Sequence, residues 1–371
     1  MQEAQLTALT GQVLWLGFAL ALLFGAIAQR THFCTMGAVA DVLSTGDWSR
    51  MRMWALALGT AIVGFNAMVG LGWIDAGKSI YAAPRLVWLS HAVGGLMFGF
   101  GMVLASGCGS KTLVRLGGGN LKSLVVCIVL GFAALATLKG VTAVWRVALV
   151  DPVAVTLATG QDLPSLLARS SGVARPVMAL VAGALSGGLL LLWALARPEG
   201  RKSDVLLGGI GIGAVIVATW WVSGRLGHLI EHPQTLEEAF LATNSQRMES
   251  LSFVAPIAYT IDWVILFSDK SKVLTLGIVT TLGVVAGSAA VALATRTFRW
   301  EGFAGVEDTS NHVVGAVLMG VGGVMALGCT VGQGLSGLST LSLGSAIAVA
   351  GIIAGAVLAL RWQTWRVERS A

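Results

Sequence analysis

The stretch His91-Ala-Val-Gly-Gly-Leu-Met-Phe-Gly-Phe-Gly-Met-Val-Leu-Ala-Ser-Gly-Cys108 returns 221 residues later as His312-Val-Val-Gly-Ala-Val-Leu-Met-Gly-Val-Gly-Gly-Val-Met-Ala-Leu-Gly-Cys329. Nine of the eighteen aligned positions are identical, and they include the rare His and Cys. Apolar composition alone does not hold such residues in register. Each copy is an apolar run close to the length of a bilayer span that ends in Gly-Cys. The chain therefore reads as two related membrane halves, 1–196 and 205–371. Between them, at 197–204, Arg197-Pro198-Glu199-Gly200-Arg201-Lys202 forms a polar, basic, helix-breaking linker.

The rest of the chain has the same character. Of its 371 residues 56% are hydrophobic and 11% charged, against about 25% charged in a soluble domain. A surface so poor in charge needs lipid as its solvent. The 49 glycines suit close helix packing, because lipid gives helices no hydrophobic reason to associate. Long unbroken runs exclude a membrane β-barrel, whose strands alternate over short segments. The expected fold is an all-α polytopic membrane protein with about nine transmembrane helices, plus re-entrant or broken helices, in two pseudo-symmetric halves.

Ten apolar runs can be read, at 13–28, 54–72, 87–104, 121–138, 176–195, 205–222, 252–267, 273–294, 313–326 and 345–360. The first twelve residues hold no Lys or Arg, and the last eleven hold Arg361, Arg366 and Arg369. The positive-inside rule then puts the N-terminus in the periplasm and the C-terminus in the cytoplasm. An odd number of crossings follows, so one run must fail to cross, and the short run 313–326 is the expected re-entrant one. Met1-Gln2-Glu3 lacks a basic n-region, so the first run reads as a retained span. The net charge of +6 reads as topology signal in loops and tails, not as a nucleic-acid surface. The four cysteines show no C-x-x-C or metal spacing, and no Walker A motif is present; neither metal nor cofactor is expected.

Chemistry concentrates in three places. The first is Gly107-Cys108-Gly109-Ser110-Lys111, followed by Arg115; the second is Gly328-Cys329-Thr330-Val331-Gly332-Gln333-Gly334. Glycine at the end of an apolar run breaks the helix, and non-helical backbone at membrane depth is tolerated only where it is buried or lines a wet cavity. The freed N–H groups then favour a small anion, with a thiol at the rim. A tight glycine crossing around an inert cysteine is the alternative, and duplication in register argues against it. The third place is Gln29-Arg30-Thr31-His32-Phe33-Cys34, with Arg30 either on the anion path or marking the end of the first span. His32 and Cys34 alone complete no metal site. Cys127, inside Leu124-Val-Val-Cys-Ile-Val-Leu130, reads as packing. His91 and His312 are expected as solvated helix ends, and His228 and His232 as surface residues. Pro256 should break the seventh run, and Asp262 is the acidic residue to consider for energy coupling.

These motifs, with Glu249-Ser-Leu-Ser-Phe-Val-Ala-Pro256, resemble the YeeE/YedE family of sulfur transport proteins, and the matches spread over nearly the whole chain. The resemblance implies a multi-pass protein of the bacterial inner membrane that takes up thiosulfate, with no catalytic residues. Carried over by motif, it implies a path lined by Cys34, Cys108 and Cys329, with Gly107, Gly109, Ser110, Lys111, Gly328, Thr330, Gly332, Gln333, Gly334 and Arg30 around them. It also implies a cytoplasmic sulfur-carrier partner of the TusA type. Some relatives are linked to selenium, so other sulfur or selenium species remain open as substrates. The chemistry is sensible. A thiol with a usual pKa of about 8.5 is neutral and can offer an S–H donor to a dianion. Several weak sites in series let an ion enter and also leave. Competing readings are a thiol–disulfide oxidoreductase, which needs two cysteines with Cα atoms under about 7 Å apart, and a membrane assembly subunit without a permeant.

Overall fold

A backbone in lipid must satisfy its hydrogen bonds within the segment, so the apolar runs become helices. The computed structural model describes residues 3–370. Met1 and Gln2, on which the reading of the N-terminus partly rests, lie outside the described residues. The helices are α1 Glu3–Thr31, α2 Thr35–Ser44, α3 Ser49–Gly70, α4 Trp88–Leu104, α5 Gly109–Gly117, α6 Leu121–Lys139, α7 Val141–Trp145, α8 Leu163–Ser171, α9 Arg175–Leu195, α10 Ser203–Leu206, α11 Ile212–Trp221, α12 Val254–Ile265, α13 Leu276–Ala294, α14 Val306–Met325 and α15 Leu343–Ser370. Helices α10 and α11 join through π turns into one span, Ser203–Leu226. The only strands among the described residues are two two-residue antiparallel pairs, Arg85–Leu86 with Val155–Thr156 and His228–Leu229 with Ala239–Phe240. They tie down loops at the end of the bundle where α4 begins. The fold is an all-α polytopic membrane protein.

Eight segments are long and apolar enough to cross a bilayer. Helix α14, together with the turn that follows it, makes a ninth: it starts beside Lys122 at the head of α6, packs along α4 and α6, and the chain then continues to Ser342 beside Asp162 before α15 begins. This corrects the expectation that 313–326 turns back. The apolar part of α14 is short only because its first two turns are polar, from Glu307 to His312, with Asp308 held 3.0 Å from Lys122. The run that fails to cross is 252–267, whose helix α12 has 12 residues and starts at the Phe253 cap.

Helices α4 and α14 cross through the glycines that the two repeats share. A Cβ on Gly101 would stand 2.6 Å from the Gly315 carbonyl oxygen, and one on Gly315 would stand 2.6 Å from that of Gly101. Gly94 and Gly322 are related in the same way, at 2.7 and 2.6 Å. The two helices touch backbone to backbone, as small residues allow in lipid. Each helix then ends in the same hydrogen-bonded cap. Gly107 N–H donates to Met102 O at 2.8 Å, and Gly328 N–H to Gly323 O at 2.8 Å. Ser106 and Leu327 take the left-handed turn, at φ 55° and 57°. This is the 6→1 bond of a Schellman cap. It stops each helix and turns the chain into the Gly-Cys motif. His91 and His312, expected as solvated, are buried, and His312 Nδ1 lies 2.8 Å from Asp308 O.

Candidate functional site

Each of the three motif cysteines stands where a helical turn begins. Cys34 caps α2, and its sulfur accepts the Gly37 N–H at 3.3 Å. Cys108 caps α5, its sulfur 3.3 Å from Ser110 Oγ. Cys329 stands just before the π turn Gly332–Gly337, which Val331 caps, and its sulfur accepts the Gly332 N–H at 3.4 Å. The carbonyl of each receives the first helical bond, from Ala38, Thr112 and Gln333. Sulfurs that accept backbone N–H groups leave the S–H free to point elsewhere. The N–H groups around them also give these turns a positive field.

The order of the thiols follows from their neighbours. Cys108 lies within electrostatic reach of both Cys34 and Cys329. The N-terminus of α12 completes the centre: backbone N–H groups of Phe253 and Val331 face the Cys329 sulfur, and a Cβ on Gly109 would meet Phe253 at 3.7 Å. Thus α2, α5 and α12 all start in the interior. Counted from their caps, Cys34 begins α2 and Phe253 begins α12 219 residues later, while the 221-residue spacing of the repeats sets Ala255 against Cys34, so no thiol stands at this helix start.

Two cavities approach this centre from opposite ends. One, of about 280 Å³, lies where α6 ends and α13 begins; it reaches Ser252, Leu327 and Gly328 beside Cys329. The other, of about 370 Å³, lies where α1 ends and α6 begins; it reaches Ser106 and Lys111 beside Cys108. The second is basic, with His32, Lys111, Arg115, Lys122 and Arg299 in its walls. Lys122 is neutralised by Asp308 and Glu301. Arg115 donates to Ser106 O at 2.7 Å, and Lys111 has no ion pair among the described residues.

The residues named from sequence divide clearly. Gly107, Cys108, Gly109 and Ser110 are buried around the centre, as are Gly328, Cys329, Thr330, Gly332, Gln333 and Gly334; Lys111 is half-buried. Gly328 takes φ 157°, which a side chain would resist. Thr330 Oγ1 and Gln333 Oε1 are buried without a partner, so this turn holds spare polar atoms. Arg30 is exposed at the end of α1, and its neighbours Gln29 and His32 line the basic cavity in its place. Cys127 packs inside the core beside Val126 and Leu130. Asp262 sits at the surface end of α12, 2.6 Å from Lys272 and 3.5 Å from Lys139.

Three residues near the centre are given no site role from sequence, Trp54 being read as part of an interfacial aromatic belt. Tyr81 OH is buried, unpartnered and within electrostatic reach of Cys329 and Glu249. Trp54 Nε1 is also unpartnered, and its ring lies 3.1 Å from where a Cβ on Gly334 would be. Glu249 lines the cavity beside Cys329. Only Glu249 carried a signal, as the acidic residue of the quoted 249–256 motif.

The sulphur transport family model matches residues 30–358. The chain is 28% identical over 327 residues to the thiosulfate transporter TsuA of Escherichia coli K12, covering 86% of each chain. It is 26% identical over 360 residues to the thiosulfate transporter TsuA of Spirochaeta thermophila, covering 91% of this chain and 94% of that one. A probable transporter, YedE of Escherichia coli K12, is 29% identical over 114 residues, or 30% of this chain and 26% of that one. The match runs from the last residues of α1 into α15 and includes Cys34, Cys108 and Cys329: the chain belongs to the sulphur transport family.

Proposed function

We propose that this protein takes up thiosulfate, or a closely related small sulfur-containing anion, across the bacterial inner membrane. The observation that carries the reading is the series Cys329, Cys108, Cys34, each at the start of a helical turn, between two cavities at opposite ends of the bundle. Two relatives matched over most of their length are named thiosulfate transporters. Backbone N–H groups attract the oxyanion end of the substrate, and thiols suit its terminal sulfur. Contacts of this kind are weak enough to release the ion again.

Direction follows from charge. Arg197, Arg201, Lys202, Arg296 and Arg299 gather where α1 ends, as do Arg361 and Arg366 of α15. The positive-inside rule makes that end cytoplasmic. Nine crossings then leave the N-terminus in the periplasm. The anion enters by the cavity beside Cys329, passes Cys108 and Cys34, and leaves through the basic cavity around Lys111 and Arg115. A soluble sulfur carrier of the TusA type docks at that exit and removes the product. Pairing of Asp262 with two lysines suits a surface carboxylate rather than a coupling group.

The test is growth. A bacterial host lacking its own sulfate and thiosulfate uptake should grow on thiosulfate as sole sulfur source when it expresses this chain. Absence of growth, with the protein present in the membrane, would count against the reading.

A further inference from the structure

Glu249 poses a problem for any anion that enters beside Cys329. It belongs to the connection between α11 and α12, outside the spanning helices, and its carboxyl lies in the wall of the entry cavity. Its backbone is fixed on both sides: its N–H donates to Ser223 Oγ at 3.2 Å, and its carbonyl accepts from the same hydroxyl. Its neighbour Ser250 donates to Ile216 O at 3.0 Å. The backbone that carries the carboxylate is therefore held at the cavity wall.

No cation among the described residues lies within ion-pair distance of Glu249. Arg146 of the π turn after α7 lines the same cavity, but it is bonded to Asp151 at 2.8 Å. Arg247, on the same connection, is exposed. The other titratable groups facing Glu249 are two neutral phenols, Tyr81 before α4 and Tyr259 on α12. The carboxyl receives a hydrogen bond from Ser245 Oγ at 2.9 Å and another from the Asn244 backbone N–H. Two neutral donors do not balance a fixed negative charge that must share a cavity of about 280 Å³ with a dianion.

Resting on the transport reading above, we propose that Glu249 makes anion entry proton-linked. The cavity accepts the dianion only with the Glu249 carboxyl protonated, and one proton is taken from water for each anion bound when the carboxyl starts ionised. The proton bonds to a carboxylate oxygen, and nothing is oxidised or reduced. The inner cavity needs no such device, because Lys111 and Arg115 already supply positive charge there. The balance is easy to reach near neutrality. Burial pushes the Glu249 carboxyl up to about 7, against the smaller opposing pull of the Ser245 and Asn244 hydrogen bonds.

The sign is fixed by this direction. Below pH 7 the carboxyl is already protonated, and affinity is level. Above it each anion must first recruit a proton, and affinity falls. Titration of sodium thiosulfate into the purified full chain should show about tenfold weaker binding at pH 8 than at pH 6. At pH 8, calorimetry in buffers of different ionisation enthalpy should report close to one proton taken up per anion. Glu249→Gln should bind at both pH values with the low-pH affinity and without proton uptake. Ser245→Ala, at an exposed position, removes a bond that favours the ionised form and should move the midpoint upward. A wild-type affinity that does not change with pH, or a pH dependence that survives in Glu249→Gln, would overturn the proposal. Folded protein that binds no thiosulfate at any pH would instead overturn the transport reading on which it rests.

Discussion

Cys108→Ala is expected to reduce thiosulfate uptake to the background of empty vesicles while the protein still folds and inserts. The position suits this test because the Cys108 sulfur caps no backbone N–H; its one polar contact is with Ser110 Oγ at 3.3 Å. Removing one buried sulfur costs on the order of 1 kcal/mol, too little to unfold a bundle of this size. The functional loss is far larger, because Cys108 is the middle of the three thiols, within reach of both the others. Cys329→Ala should behave alike in transport, but it also strips an N–H acceptor from the turn at Gly332. Cys127→Ala is the control. That cysteine is equally buried and faces only apolar neighbours in α6, so uptake should persist. Purified protein and detergent-stability measurements separate a transport defect from a folding one. Normal uptake by Cys108→Ala would remove the thiol series from the mechanism.

The largest structural effect is expected from Gly99→Val and Gly287→Val. A Cβ on Gly99 would stand 2.0 Å from the Ile352 carbonyl oxygen of α15, and one on Gly287 would stand 1.9 Å from the Leu22 carbonyl oxygen of α1. Both collisions are with backbone, so no side chain can move aside, and whole helices must separate. The contacts are also mutual: Gly355 faces Leu96 O at 2.1 Å, and Gly25 faces Val284 O at 2.2 Å. Overpacking of a core costs typically about 1–3 kcal/mol, and backbone collisions lie at or above the upper end of that range. The expected result is loss of monodisperse protein on size-exclusion chromatography. Gly188→Val, in α9, meets nothing within 4 Å and should purify like the parent chain.

Much of this architecture was legible because it follows from periodicities and composition. Apolar runs gave helices, and the 91–108 and 312–329 repeats gave a crossing that the structure builds from Gly94, Gly101, Gly315 and Gly322. What sequence could not give was depth. Helix α14 looked short because polar residues from Glu307 to His312 belong to a helix that also lines a wet cavity. Conversely, 252–267 looked long because the approach to α12 is as apolar as the helix itself. Hydropathy reads what a segment is made of and not where its first turn sits. The same limit applies to the site. The Gly-Cys pairs were readable because they repeat, and Cys34 because it stands near Arg30 and His32. Tyr81 and Trp54 reach the centre from loops and helices far away in sequence, with no local pattern to mark them. Asp262 drew attention by lying in an apolar run, yet its position at the end of α12 brings two lysines to it. Glu249, outside every run, lines the cavity beside Cys329 with no cation within ion-pair distance among the described residues.

The most direct measurement is uptake of radiolabelled anions into liposomes that contain only this chain, comparing thiosulfate with sulfate, sulfite and selenite. Saturable uptake of thiosulfate well above that of sulfate, unaffected by dithiothreitol and absent from Cys108→Ala, is the result predicted. Equal or no accumulation of thiosulfate and sulfate by well-folded protein would contradict the account.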